Sequence, residues 1–80
     1  MNKYAVKIRN ELNIGDTVLI KTRKKDEKTE VTKVVYVRYK VLNKYRYIFY
    51  AEDNKGTKEY FQYHEVEEII KVNKQQKGRV

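Results

Sequence analysis

From Val31 to Tyr63 apolar and aromatic side chains recur at every second position through much of three runs, Val31–Val41, Tyr45–Ala51 and Thr57–Tyr63. A period of two fits a pleated strand with one face buried, whereas a helix needs 3.6. The breaks between the runs are short, so the segment reads as an antiparallel meander of three strands. Asp53-Asn54-Lys55-Gly56 has the chemistry of a tight turn. Asp and Asn side chains bond nearby backbone amides, and Gly takes the positive φ that closes a type I turn with a bulge. With Asn54, Lys55 and Gly56 as the loop, Glu52 faces Lys58, Tyr50 faces Tyr60, Phe49 faces Phe61 and Tyr47 faces Tyr63. Opposite charges and paired aromatic rings meet in that register, as cross-strand neighbours prefer.

A three-residue loop at Leu42-Asn43-Lys44 sets the other register. Val41 then faces Tyr45, Tyr39 faces Tyr47, Val37 faces Phe49 and Val35 faces Ala51. The core face is expected to hold Val35, Val37, Tyr39, Val41, Tyr45, Tyr47, Phe49, Ala51, Phe61 and Tyr63, with Glu59 at an open end. The opposite face is expected to hold Tyr36, Arg38, Lys40, Arg46, Ile48, Tyr50, Tyr60 and Gln62. There Tyr36, Tyr50 and Tyr60 form one row across the strands, flanked by Arg38, Lys40 and Arg46.

These six residues are the candidate binding site. Bases stack on aromatic rings at about 1–3 kcal/mol each, and Arg or Lys neutralises phosphates. A sheet surface that interleaves the two suits single strands or RNA. A tyrosine row across strands also serves sheet stability, a second use of the same residues.

Composition narrows the classes. Eighty residues make one domain with a modest core. No cysteine is present, so neither a disulfide nor a thiolate zinc site reinforces the fold. Eight tyrosines and two phenylalanines must supply much of the buried area. The net charge of +8 favours an anionic partner: nucleic acid (DNA or RNA), anionic lipid or an acidic protein. His64 is the sole histidine, and with Glu65, Glu67 and Glu68 it forms no recognised ligand spacing. No nucleophile triad, phosphate loop or cofactor motif is present, so no enzyme, cofactor or metal is expected. No apolar run reaches the ~20 residues that span a bilayer, and Met1-Asn2-Lys3-Tyr4 leads into no signal-peptide core. The expectation is a cytoplasmic protein without a membrane partner. Its Lys, Asn, Ile and Tyr bias fits an AT-rich bacterial or phage genome.

Along the rest of the chain, Tyr4, Val6 and Ile8 alternate with polar neighbours, so residues 1–11 read as an N-terminal strand or arm, with a helix as the competing reading. Gly15-Asp16 marks a turn into the strand Thr17–Thr22, with Val18 and Ile20 inward. Arg23–Glu30 carries seven charges in eight residues and reads as a solvated loop or hairpin tip. Val66, Ile69 and Ile70 suit a 3₁₀ turn followed by a short strand. Residues 73–80, with Lys74, Lys77 and Arg79, read as a basic disordered tail.

The stretches Ile14-Gly15-Asp16-Thr17-Val18, Asp53–Gly56 and Phe61–Ile70 give residues 12–72 an order that resembles the SH3-like small barrels, including the KOW and Tudor-like groups. The glycine that the KOW pattern carries after its first loop is absent, Lys28-Thr29-Glu30 standing there. Tryptophan is absent too, which removes a proline-peptide groove. The resemblance implies an all-β fold, a small barrel of about five antiparallel strands with a 3₁₀ turn near its C-terminal end. It also implies a binding module, commonly for nucleic acid or protein, and no catalysis. The functional expectation is a basic nucleic-acid-binding module, monomeric or weakly dimeric. The alternative is a protein–protein interaction module, such as a phage or mobile-element modulator of an acidic host protein.

Overall fold

A computed structural model describes residues 1–71. Helix α1 (Lys3–Glu11) precedes strands β1 (Thr17–Lys25), β2 (Thr32–Lys44), β3 (Ile48–Glu52) and β4 (Lys58–Gln62). A 3₁₀ turn, Tyr63–Glu65, and strand β5 (Val66–Ile70) complete the described chain. The five strands form one antiparallel sheet in the order β4-β3-β2-β1-β5. The expected basic tail lies outside the described residues.

The N-terminal segment is a helix, which corrects the strand or arm expected for residues 1–11. The Asn2 side chain accepts the Ala5 amide at 2.7 Å, an N-cap that starts the helix. Ala5, Ile8 and Leu12, at helical spacing, are buried in the core, and this outweighs the alternation of Tyr4, Val6 and Ile8. The carbonyls at the helix end are held by lysines. Lys44 Nζ donates to Arg9 O at 2.7 Å and to Leu12 O at 2.5 Å. Lys71 donates to Glu11 O and, at 2.7 Å, to the buried Asp16 carboxylate.

The Asp53 turn forms as its residues dictate. Asp53 Oδ1 accepts the amides of Lys55 and Thr57, both at 2.9 Å, and Gly56 takes φ +87°. The register follows, with Glu52, Tyr50 and Phe49 opposite Lys58, Tyr60 and Phe61. Glu59 sits on edge strand β4, exposed, and accepts the Tyr39 hydroxyl at 3.4 Å.

The β2–β3 register differs from the expected one. β2 continues to Lys44, and Lys40 and Val41 pair with Glu52 and Ala51. Leu42 is then skipped as a bulge, and Asn43 and Lys44 pair with Tyr50 and Phe49. The loop is Arg46-Tyr47, closed by the Tyr45 amide on Ile48 O at 2.9 Å. One unpaired residue reverses the face of everything after it. Tyr39, Val41, Phe49, Ala51, Phe61 and Tyr63 are buried as expected. Tyr45 and Tyr47, expected in the core, are exposed, and Lys44 turns inward beneath the helix end.

The sheet is curled but does not close into a barrel. β4 and β5 are its two edges and do not pair. Four strand spacings of about 4.8 Å would part those edges by roughly 19 Å in a flat sheet. The three-residue turn Tyr63–Glu65 joins them directly, and its four Cα steps reach at most about 15 Å. The sheet therefore bends sharply at that corner. Glu65 Oε2 accepts the Gln62 amide at 2.8 Å and sets the turn there, slightly ahead of the expected position at Val66–Ile70. The inner side chains and α1 fill the concave face, with Val18, Ile20 and Val66 completing the core.

β1 and β2 outrun their neighbours. β5 pairs with β1 only along Thr17–Ile20, and β3 pairs with β2 only along Lys40–Lys44. Beyond that, Lys21–Lys25 pair with Tyr36–Thr32 and with nothing else. Part of the expected charged loop is therefore strand, and the molecule is drawn out to 49 × 35 × 21 Å. At the tip, Asp26 N–H bonds Val31 O at 2.9 Å and Glu30 sits at φ +59°.

Candidate nucleic-acid interface

The pleat sends Ile48, Tyr50 and Glu52 of β3 and Lys58, Tyr60 and Gln62 of β4 to the convex face, away from α1. The Tyr50 and Tyr60 rings meet there at 4.6 Å between centroids, tilted by 35°. Tyr45, carried to the same face by the bulge, has its ring 6.4 Å from that of Tyr60. Tyr60 is 60% and Tyr45 46% exposed, so ring area is open to solvent. The cluster is therefore Tyr45, Tyr50 and Tyr60.

Tyr36 is not part of it. It pairs with Lys21 on β1, seven residues along β2 from Tyr50's partner Asn43. That separation is about 23 Å of extended strand. Arg46 also leaves the row. It stands in the β2–β3 turn with its guanidinium carbon 5.4 Å from the Tyr47 ring, and its carbonyl accepts Arg9 Nη1 at 3.2 Å. Arg38 and Lys40 are exposed on the convex face, opposite Leu19 and Thr17. They lie along β2 between the tyrosine cluster and Tyr36. The break in alternation at Val41-Leu42, two apolar residues in succession, was the sequence signal for the bulge that brings Tyr45 across.

Two acids near this face are engaged within the protein, and a third, Glu68 on β5, stands exposed opposite Leu19. Glu52 lies 3.6 Å from Lys58 Nζ, and Asp53 is bonded to its own turn. A shallow cleft of about 290 Å³ lies between Arg38 and Lys40 on one side and Glu52, Asp53 and Asn54 on the other.

Beneath the face, burial raises the phenols of Tyr39 and Tyr63 above their usual range. Both hydroxyls donate, Tyr39 to Glu59 and Tyr63 to Tyr45 O at 2.5 Å. The second bond fixes the backbone that carries the Tyr45 ring. Burial, then the nearby Arg9 and Lys71, lower Lys44 below the usual lysine range. Tyr45 is thus anchored through its backbone by a buried group on the opposite side.

Among the described residues, no three His, Cys, Asp or Glu side chains gather to hold a metal ion. No described helix is long and apolar enough to cross a membrane. No protein-family model, no curated protein and no solved structure matches the chain.

Proposed function

We propose that this chain is a small SH3-like module that binds single-stranded nucleic acid on its convex face. The SH3-like part is supported by a curled five-stranded antiparallel sheet with first and last strands adjacent and a 3₁₀ turn between β4 and β5. The binding part rests on one observation: the Tyr60 ring lies between those of Tyr50 at 4.6 Å and Tyr45 at 6.4 Å on an open sheet face, and Lys40 and Arg38 continue that face along β2. Rings take bases and the cations take phosphates. The net charge of +8 draws the polyanion in.

Fluorescence anisotropy with labelled single-stranded DNA and RNA tests this. Tyr60→Ala is expected to weaken binding by about 5- to 150-fold, the equivalent of ~1–3 kcal/mol for one lost stack. Arg38→Ala and Lys40→Ala are each expected to lower the salt slope by about 0.7. A chain that binds neither strand at low salt would end the proposal.

The alternative, docking on an acidic protein, is favoured by edge strand β4, whose outer backbone edge pairs with no described strand. A pull-down with and without nuclease separates the two. Partners that survive nuclease support docking.

A further inference from the structure

The β1–β2 ribbon is an element that core packing does not explain. Its residues are exposed or at most half-buried on both faces, and a lone two-stranded ribbon is marginal in water. Its charges are sorted. The shaft, Lys21–Lys25 with Thr32–Tyr36, carries Lys21, Arg23, Lys24, Lys25 and Lys33 and no acid. The acids Asp26, Glu27 and Glu30 are confined to the tip.

Within the shaft Lys24 lies directly opposite Lys33. Like charges facing each other across a ladder destabilise it. On the convex side Lys21, Arg23 and Lys25 stand at alternate positions, about 6.6 Å apart along the strand. Their partners across the ribbon are Tyr36, Val34 and Thr32, all uncharged. One edge of that face is a line of cations and the other is apolar or neutral. An arrangement that lowers the ribbon's own stability and concentrates one sign of charge fits a polyanion.

We infer that the ribbon shaft is a second nucleic-acid site, one that lies in the major groove of duplex DNA. Two strands about 4.8 Å apart, with side chains, fit a groove ~12 Å wide. The cations then face the phosphates of one groove wall, and Val34 and Tyr36 face the groove interior. The acidic tip projects past the backbone. Duplex RNA is excluded by shape, because the A-form major groove is too narrow and deep to admit the ribbon. The inference rests on the chain being a nucleic-acid binder, and it adds a ligand class that the tyrosine cluster does not take.

The test is anisotropy of the full chain with a 20-base-pair DNA duplex, the matching RNA duplex and a single strand. Inorganic polyphosphate and polyglutamate serve as competitors. The triple variant Lys21→Gln, Arg23→Gln, Lys25→Gln is expected to lower the salt slope on duplex DNA by about 2.7 and to weaken binding by tenfold or more at ~0.1 M salt. Single-strand binding at the tyrosines should change far less. Val34→Glu gives an opposed pair of readouts. Facing Arg23 on the convex side, the new carboxylate should slow amide exchange in the ribbon while weakening the duplex complex. A ribbon that serves folding alone would become more protected with duplex affinity unchanged, and that result overturns the inference. So would equal binding of DNA and RNA duplexes, or competition by polyglutamate as strong as that by DNA. If Tyr60→Ala abolishes single-strand binding while the triple variant leaves duplex binding intact, the ribbon site alone fails. If the unmodified chain binds no nucleic acid, both proposals fail together.

Discussion

Strands β1 and β2 run through two different environments without changing partner. Along Thr17–Ile20 β1 has β5 on its other side, β3 joins β2 only from Lys40 onward, and Val18 and Ile20 are buried in one cluster with Ala5, Ile8 and Leu12. Along Lys21–Lys25 the same ladder continues with no flanking strand and no cover. The β1–β2 ladder continues unchanged through both halves, yet only the first half gains the second ladder to β5 and fully buries apolar side chains. The difference locates the stability of this protein in the layer contact between sheet and helix. It leaves the ribbon free to be shaped by charge.

The largest test of that contrast is Phe49→Ala. Phe49 is fully buried and stacks near Phe61 and Tyr63, at 5.7 and 5.4 Å between ring centroids. Its truncation should cost about 3–5 kcal/mol in urea unfolding, enough to unfold a marginal domain. Val34→Ala on the ribbon should stay within about 0.5 kcal/mol. A comparable loss at both positions would break the contrast.

Asp16→Ala should follow, at about 1–3 kcal/mol. It removes the acceptor of the Asn13 amide at 2.9 Å and of Lys71 at 2.7 Å, both at the foot of the sheet. Thermal melts would measure it.

Alkaline pH offers a smaller effect, with a definite sign. Tyr4, Tyr39 and Tyr63 have folded pKa values above the ordinary 10.0, burial being the first cause in each. Above pH 10 the unfolded chain therefore loses protons that the folded chain keeps, and stability falls as pH rises toward the folded values. Lys44 acts the other way. Its folded pKa lies below 10.5, so stability rises with pH from that folded value to 10.5. With three phenols against one amine, the net expectation is a decline above pH 10. Tyr63→Phe should make that decline shallower in urea titrations across pH 9–11, and an unchanged slope would remove Tyr63 from the account.

The smallest effect is local. Amides of Lys21–Lys25 should exchange with solvent at a low opening free energy, while those of β3 follow global unfolding. Hydrogen-exchange mass spectrometry distinguishes the two.

The two hairpins of the meander show how far residue chemistry carries a prediction. Asp53 and Gly56 specify their own turn, so the β3–β4 register and the Tyr50–Tyr60 contact are legible before any coordinates. The β2–β3 hairpin has no such marker. Arg46-Tyr47 carries neither Gly nor Asn, and the bulge at Leu42 reveals itself only as a lapse in alternation. The inward places of Tyr39 and Val41 were therefore readable, while Val35, which lies on the uncovered ribbon and not in the core, and Tyr45, Tyr47 and Arg46 were not. The N-terminal helix was hidden by coincidence, since Ile8 belongs both to the period of two with Tyr4 and Val6 and to the helical stripe with Ala5 and Leu12. Asn2 as a cap was the discriminating sign. Of the candidate site, Tyr50 and Tyr60 stand together, Arg38 and Lys40 lie beside them, and Tyr36 belongs to the ribbon.

Leu42 has a consequence for how this surface tolerates a change in strand length. No chemistry of its own is at stake, only the tally of positions between Val41 and Asn43. Deleting it would leave Val41 opposite Ala51, Asn43 opposite Tyr50 and Lys44 opposite Phe49 in plain alternation, so Tyr45 would stay on the convex side and Lys44 beneath the helix end. Loss of that single codon would thus straighten the strand and keep the patch, whereas loss of Asn43 or Lys44 would alter the pairing that holds it.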